Sequence, residues 1–237
     1  VSAIHRFHRL SSTQDELHRL AAAGAAAGTV VVAAEQEAGR GSRGRHWASP
    51  LGGLWLSFLC RPPRPVGVEV LSLRVGLAAA EALGQFGGLP PVALKWPNDL
   101  MVGDRKIGGI LGEARWQGDS LAWIAVGVGI NVRNPLPAAV RTPPGRLAEW
   151  RPDLEPEQVL GPLLARLAPL AASASGLTSA EMEAFGRRDW LAGRELAAPV
   201  QGFATGIAED GSLLVRLPDG RTVGVSSGSV VLPGEAA

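Results

Sequence analysis

The stretch KWPNDLMVGDRKIGGILGEA, residues 95–114, holds both lysines of the chain, Lys95 and Lys106, against 21 arginines in the whole chain. The run before Pro97 (VALKW) reads as a short strand. LMVGDRKIGGILGEA reads as a hairpin turning at Gly103-Asp104-Arg105. Arginine is a planar, permanently charged fork, whereas lysine is a compact point charge on a flexible stem. A site that sets a small cation between two crowded anions has reason to refuse arginine. Two lysines kept inside glycine- and proline-punctuated motifs therefore point to a site, beyond chance survival in an arginine-biased composition.

Outward from this hairpin, TVVVAAE (29–35) and LWLSFLC (54–60) read as strands, and SLAWIAVGVGINV (120–132) as a long strand that loses its alternation at its glycines. Thr13-Gln14-Asp15-Glu16 is a capping-box pattern that opens a helix through LHRLAAAGAAA. Residues 68–86 read as a buried helix, and 157–172 and 179–192 as two more. Residues 135–156 are proline-rich and loop-like. From Gly193 onward, short strands divided by Asp210-Gly211 and Asp219-Gly220 suggest a small β-barrel module. These elements predict an α/β or α+β fold with a mixed, largely antiparallel sheet, without the regular βαβ alternation of a doubly wound one.

The 237 residues suffice for one or two domains, and 46% hydrophobic with 19% charged residues is a globular composition. A net charge of +1 argues against a nucleic-acid binder that runs on bulk electrostatics. Cys60 is the one cysteine, which excludes an intramolecular disulfide and reads as core filler in a reducing compartment. His5, His8, His18 and His46 show no metal-ligand spacing, and His5 and His8 read as surface residues. Neither a signal peptide nor a bilayer-spanning stretch is legible, so a cytoplasmic, soluble protein is expected.

Two motif matches mislead. Gly39-x-Gly41-x-x-Gly44 fits the dinucleotide fingerprint, but Arg45 to Gly53 continues with Pro50 and paired glycines where that motif needs a helix. Gly224-Val225-Ser226-Ser227-Gly228 fits a nucleophile elbow, but every histidine precedes it and no strand-to-helix turn surrounds it. GRGSRGRHW (39–47) is more informative. Three arginines on a glycine backbone predict a mobile loop with exposed N–H groups that closes over an anion, and Trp47 adds an apolar face for a ring. Asn98 and Asp99 follow a proline-fixed turn. Gly108 and Gly109 let a ligand approach the backbone after Lys106. Gly127-Val128-Gly129-Ile130-Asn131 ends a buried strand in groups able to read a purine edge or a phosphate.

In this order the motifs resemble those of the biotin protein ligases (biotin–[biotin carboxyl carrier protein] ligases). GRGRRGRxW is similar to residues 39–47, KWPND to 95–99, K-x-x-G-I-L to 106–111 and G-x-G-I-N to 127–131. Ser12 and Thr13 before the first helix and Gln36 match as well. The resemblance covers nearly the whole chain. It implies an α+β fold of the class II aminoacyl-tRNA synthetase/biotin ligase type, with a mixed sheet flanked by helices. It also implies a catalytic domain over 1–192 and an SH3-like β domain over 193–237.

The same resemblance implies activation of biotin by ATP, with Mg²⁺, to biotinyl-5'-AMP. The biotinyl group then passes to one lysine of a biotin carboxyl carrier protein domain, by default that of acetyl-CoA carboxylase. Implied catalytic residues are Lys106, Arg40 and Arg45. Ser12, Thr13, Gln36, Gly39, Arg40, Lys106 and Gly109 are implied to bind biotin. Arg43, Arg45, Trp47, Asn98, Asp99, Lys106 and Asn131 are implied to bind ATP, and the role of Lys95 stays open. No membrane or nucleic-acid partner is implied, because the first capped helix at residue 13 leaves no room for a helix-turn-helix domain; a homodimer through a strand edge is. One position departs from the family pattern: Ser42 stands where the loop carries an arginine that orders it over the adenylate. A lipoate protein ligase, a biotin-binding regulator and a generic nucleotide-binding module are the competing readings.

Overall fold

Val126, Val128 and Ile130 alternate with Ala125, Gly127 and Gly129 along one strand, and this alternation divides the molecule into two faces. The computed structural model describes residues 1–63, 68–138, 142–173 and 176–235. Residues 139–141 of the expected loop and 236–237 of the expected C-terminal module lie outside the described residues.

Seven strands make one sheet: β1 (Ala3–Leu10), β2 (Thr29–Gln36), β3 (Leu54–Cys60), β4 (Ala93–Lys95), β5 (Asp99–Val102), β6 (Arg105–Gln117) and β7 (Ser120–Ile130). Their spatial order is β1-β2-β3-β7-β6-β5-β4. β1 and β2 run parallel, and the remaining neighbours are antiparallel. One face carries Val126, Val128 and Ile130 and is covered by α2 (Val68–Leu83) and α3 (Pro156–Leu167), with α4 (Ser179–Gly186) beside α2. α2 is apolar on nearly every side, as a helix enclosed by sheet and helices must be. On the other face Val31, Leu59 and Ala125 meet Leu17 and Ala21 of α1 (Thr13–Ala22). Burying Leu17 completely stabilises the fold by about 1.5–3 kcal/mol. α1 covers only part of this face; the glycine end of β7 is left for the site.

The mixed, largely antiparallel sheet is as expected, with local differences. Ser12, not Thr13, caps α1, its Oγ accepting from Gln14 N at 3.3 Å. Glu16 instead pairs with Arg19, and the helix stops before Gly24, which takes a left-handed φ of +90°. β1 escapes the sequence reading because its apolar residues Ile4, Phe7 and Leu10 recur every three positions on a mostly exposed edge strand. The hairpin turn is Gly103-Asp104 alone, since Arg105 already pairs with Val102. α3 gives way to a 3-10 turn at Ala168–Ala172, where Pro169 enters. α4 ends at Gly186, six residues early, because the chain is drawn onto β4: Leu94 N donates to Arg188 O (2.8 Å) and Trp190 N to Leu94 O (3.0 Å). Cys60 is buried as expected, and burial pushes its thiol up to about 12.

The C-terminal strands β8 (Glu195–Leu196), β9 (Gly202–Ile207), β10 (Leu213–Arg216) and β11 (Thr222–Val225) form a small antiparallel sheet, consistent with an SH3-like module. Its Asp210-Gly211 and Asp219-Gly220 turns carry glycines at φ +83° and +86°. Trp96 ties this sheet to the larger one, its indole N–H donating to Gly211 O at 2.8 Å. Among the described residues no helix is long and apolar enough to cross a membrane.

Asp189, in the segment drawn onto β4, accepts from Leu191 N at 2.8 Å, and burial pushes its carboxyl up to about 6 from 3.8. The folded chain thus holds this proton more tightly than the unfolded one. The associated stability is fully present below about pH 4 and is lost as pH rises through about 6. D189N, which keeps the acceptor and cannot ionise, is expected to exceed the wild type by about 1–2 kcal/mol at pH 7 and to gain nothing at pH 4. Urea unfolding at the two pH values checks this.

Candidate active site

Gly109 and Gly129 are register partners across β6 and β7, on the face opposite Val126, Val128 and Ile130. A cavity of about 540 Å³ opens there, bounded by the loop from Gln36 to Ser49, the start of α1, the turn after β4 and residues 226–230. Trp47 lies against the two glycines. A Cβ on Gly129 would stand 2.7 Å from the indole nitrogen, and one on Gly109 3.4 Å from the ring. The indole N–H is buried without a hydrogen-bond partner among the described residues.

Backbone hydrogen bonds run through the arginine-rich loop. Gln36 N donates to Ser49 O (3.0 Å), Trp47 N to Gly39 O (2.8 Å) and Gly41 N to Arg45 O (2.8 Å), a ladder that uses N–H groups expected to be free. A short 3-10 turn at Ser42–Gly44 forms the tip, with Arg43 at φ +60°. Gly39 stands behind the cavity, where any side chain would run into Trp47 O. The three guanidiniums diverge. Arg40 meets Asp15 (2.7 Å) and Glu113 (3.2 Å), Arg43 reaches Ser229, and Arg45 folds back onto Ser42 Oγ (2.8 Å) and Ser42 O (3.1 Å).

Lys106 lies at the start of β6, its ammonium 2.5 Å from Asp99 Oδ1 and 5.1 Å from the centre of the Trp47 ring. Asp99 is Lys95's register partner across β4 and β5, and both lysines line the cavity. Their surroundings differ: Lys95 is buried with its ammonium 4.7 Å from the Trp190 ring, while Lys106 keeps a fifth of its side chain exposed. The asparagines serve the framework. Asn98 donates to Ile110 O at 2.8 Å, and Asn131 donates to Gly145 O at 3.0 Å and accepts from Asn134. Both still line the cavity.

At the start of α1 a chain of neutral groups reaches the same space through Thr13 and Gln36, with buried Ser57 and Ser49 behind them. Ser57 Oγ donates to Thr13 Oγ1 (2.8 Å). Thr13 donates through its N–H (2.8 Å) and hydroxyl (3.0 Å) to Gln36 Oε1, and Gln36 Nε2 donates to Ser49 Oγ (2.7 Å). Ser12 also lines the cavity while capping α1. Sequence reasoning misses Gln14, a buried lining residue whose Oε1 has no partner among the described residues. It also misses residues 226–230: the false nucleophile elbow is no elbow, yet its serines form part of the wall. Hydrophobic periodicity does not reveal either. Among the described residues no three histidine, cysteine, aspartate or glutamate side chains gather as metal ligands.

The family model described as the biotin/lipoate A/B protein ligase family matches residues 6–131, and that of the biotin protein ligase C terminal domain matches residues 193–232. A biotin–[acetyl-CoA-carboxylase] ligase of Paracoccus denitrificans is 34% identical over 91% of this chain and 95% of its own length. A bifunctional ligase/repressor of Bacillus subtilis is 39% identical over 52% of this chain, which spans 38% of that longer protein. Among solved structures, biotin protein ligase from Aquifex aeolicus in complex with biotin and ATP superposes with a TM-score of 0.80 at 28% identity, over 98% of this chain and all of that one.

The glycine floor gives a direct test. In G129A the new methyl group would collide with the indole, so Trp47 is expected to leave the floor. Near-ultraviolet circular dichroism of G129A should then lose the same band that W47F loses, and an unchanged spectrum would contradict this packing.

Proposed function

This chain belongs to the biotin/lipoate A/B protein ligase family, and we infer that it is a biotin protein ligase. It joins the biotin carboxylate to the α-phosphate of ATP, releasing pyrophosphate, and transfers biotin from the adenylate to a lysine of a carrier protein. The observation that carries this reading is the composition of one cavity. The neutral hydrogen-bonding groups of Thr13 and Gln36, backed by Ser57 and Ser49, suit a ureido ring, and the Lys106–Asp99 pair suits the meeting of two anions.

In this reading Ser12, Thr13 and Gln36 hold the ureido ring, a neutral group that needs every donor and acceptor matched once buried. Lys106 turns from Asp99 toward the biotin carboxylate and the α-phosphate, where charge builds in the adenylation step. Arg40 and Arg45 hold the carboxylate and phosphates. Trp47 covers the adenine, with Arg43, Asn98, Asp99 and Asn131 around the nucleotide. Mg²⁺ suits a site of this kind, because it is bound through one or two carboxylates plus substrate phosphates. Asp99 is the carboxylate that would serve, and the ion would shield the phosphate charge. The acceptor is a biotin carboxyl carrier domain, that of acetyl-CoA carboxylase or a related carboxylase. The division of labour is a catalytic domain over 1–192 and an SH3-like domain over 193–237. A homodimer through the exposed β1 edge, cytoplasmic action and the lack of a nucleic-acid partner complete the proposal.

Single-turnover reaction with Mg²⁺-ATP and either biotin or lipoate, quenched and read by mass, tests the assignment. Biotinyl-AMP from biotin is the expected product; lipoyl-AMP would move the chain to the sister activity, and neither product would overturn the reading. K106M, in which an apolar chain of similar length replaces the cation, is expected to slow adenylate formation by about 10²–10³-fold with the fold retained.

Ser42 accepts from Arg45 at the cavity wall and is too short to reach across the cavity. We propose that the adenylate escapes more readily here than from a loop with arginine at this position. S42R is expected to slow its release in a pulse-chase measurement, and an unchanged rate would remove this role.

A further inference from the structure

Behind Arg40, outside the cavity wall, side chains from the loop and from α1 converge on one oxygen of β6. Glu113 Oε2 on β6 accepts from Arg40 Nη2 of the loop (3.2 Å), from Gln14 Nε2 on α1 (3.3 Å) and from His18 Nε2 on α1 (2.9 Å). His18 Nδ1 in turn accepts from Trp123 Nε1 on β7 at 2.9 Å. The Arg61 guanidinium lies 5.4 Å from the Trp123 ring and donates to three backbone carbonyls, which anchors the far end. Neither Trp123, His18 nor Glu113 lines the cavity, whereas Arg40 and Gln14 do.

The donor inventory fixes the protons along this chain. An indole N–H only donates, so His18 Nδ1 must be the bare nitrogen, and the ring proton sits on Nε2, facing Glu113. The imidazole is then neutral, and the negative charge of Glu113 is left to the guanidiniums, Arg40 before Arg115. The carboxyl of Glu113 is held below its ordinary range, first by the His18 hydrogen bond and also by the Arg40 charge. Asp15 reaches the same guanidinium nitrogen from an exposed position, where an ion pair is screened and weak. Glu113, four-fifths buried, is the firmer anchor.

We propose that Trp123, His18 and Glu113 are positioning residues for Arg40: the indole selects the Nε2–H tautomer of His18, which orients Glu113, which sets the guanidinium at the cavity wall. The proposal rests on the biotin-ligase reading only for what Arg40 grips, a carboxylate or phosphate. It assigns to three residues outside the cavity a share in the affinity for biotin.

The test pairs ligand binding with a direct look at the imidazole. In the ¹⁵N-labelled wild type, the His18 nitrogens are expected at a bare Nδ1 and a protonated Nε2; the opposite tautomer would overturn the relay. H18L removes the donor to Glu113 and is expected to raise the Kd and KM for biotin about tenfold, as loss of a hydrogen bond to a charged group does, with kcat within about twofold. H18Q, whose amide nitrogen replaces Nε2, should restore both constants to within about twofold of the wild type. A merely structural role would instead lower thermal stability without this split and without rescue by glutamine, and that outcome sinks the proposal, as does unchanged biotin affinity in H18L. Should the wild type form no biotinyl-AMP, the assigned function fails by itself, and the nitrogen shifts still decide the relay.

Discussion

Two glycines facing each other across β6 and β7 are the constraint on which the rest depends. A sheet normally carries side chains on both faces, and here the face toward α1 is bare at Gly109, Gly127 and Gly129. The opposite face of the same strands holds Ile110, Val126, Val128 and Ile130 in the main core, so the strands lose no anchorage by being empty on one side. Strand interiors pay for glycine in conformational entropy and lost packing. The gain is room: Trp47 settles on the floor, the loop ladder closes over it, and Lys106 reaches the same space from the strand's first turn. A single methyl group at Gly129 would bring the floor into conflict with the loop.

Charge is arranged around this bare patch by pairing rather than by accumulation. Net charge is +1, and each cation near the cavity has its own anion or oxygen: Lys106 has Asp99, Arg40 has Glu113 and Asp15, Arg43 has Ser229, and Arg45 has Ser42. Such pairs hold cations ready without leaving a field of like charges to repel one another. An entering anion competes for a partner already present, and the exchange is nearly isoenergetic where the original pair is partly exposed. Lys95 also lines the cavity, buried beside Trp190 at the junction between β4 and the segment after α4.

Much of this was legible in the sequence, for identifiable reasons. Lys106 stood out because lysine is rare here, and the loss of alternation in VGVGIN was the empty face of the sheet seen in one dimension. β2, β3 and β7 announced themselves through β-branched and apolar runs. β1 did not, because an edge strand with half its surface in solvent has little pattern to display. Nor did the ladder inside the loop, since backbone pairing leaves no mark on a glycine- and arginine-rich string. The part of the site built by distant residues was invisible: Gln14 and residues 226–230 lie far apart in the chain and come to line one cavity only in the folded molecule. Beyond its lack of metal-ligand spacing His18 gave no sign of a role, because its partners Trp123 and Glu113 come from two distant strands.

The wall formed by residues 226–230 has a bearing on synthesis. Trp96 reaches its carbonyl partner Gly211, and Arg43 its partner Ser229, only once the small sheet is assembled. A nascent chain with this stretch still inside the ribosomal exit tunnel has its lysine, its glycine floor and its loop already outside, but no wall on that side. The pocket is therefore completed only after this stretch has emerged and the small sheet has formed. Fragments that stop before that point, whether from premature termination or from a nick in the small sheet, would leave an open basin exposed to bulk water.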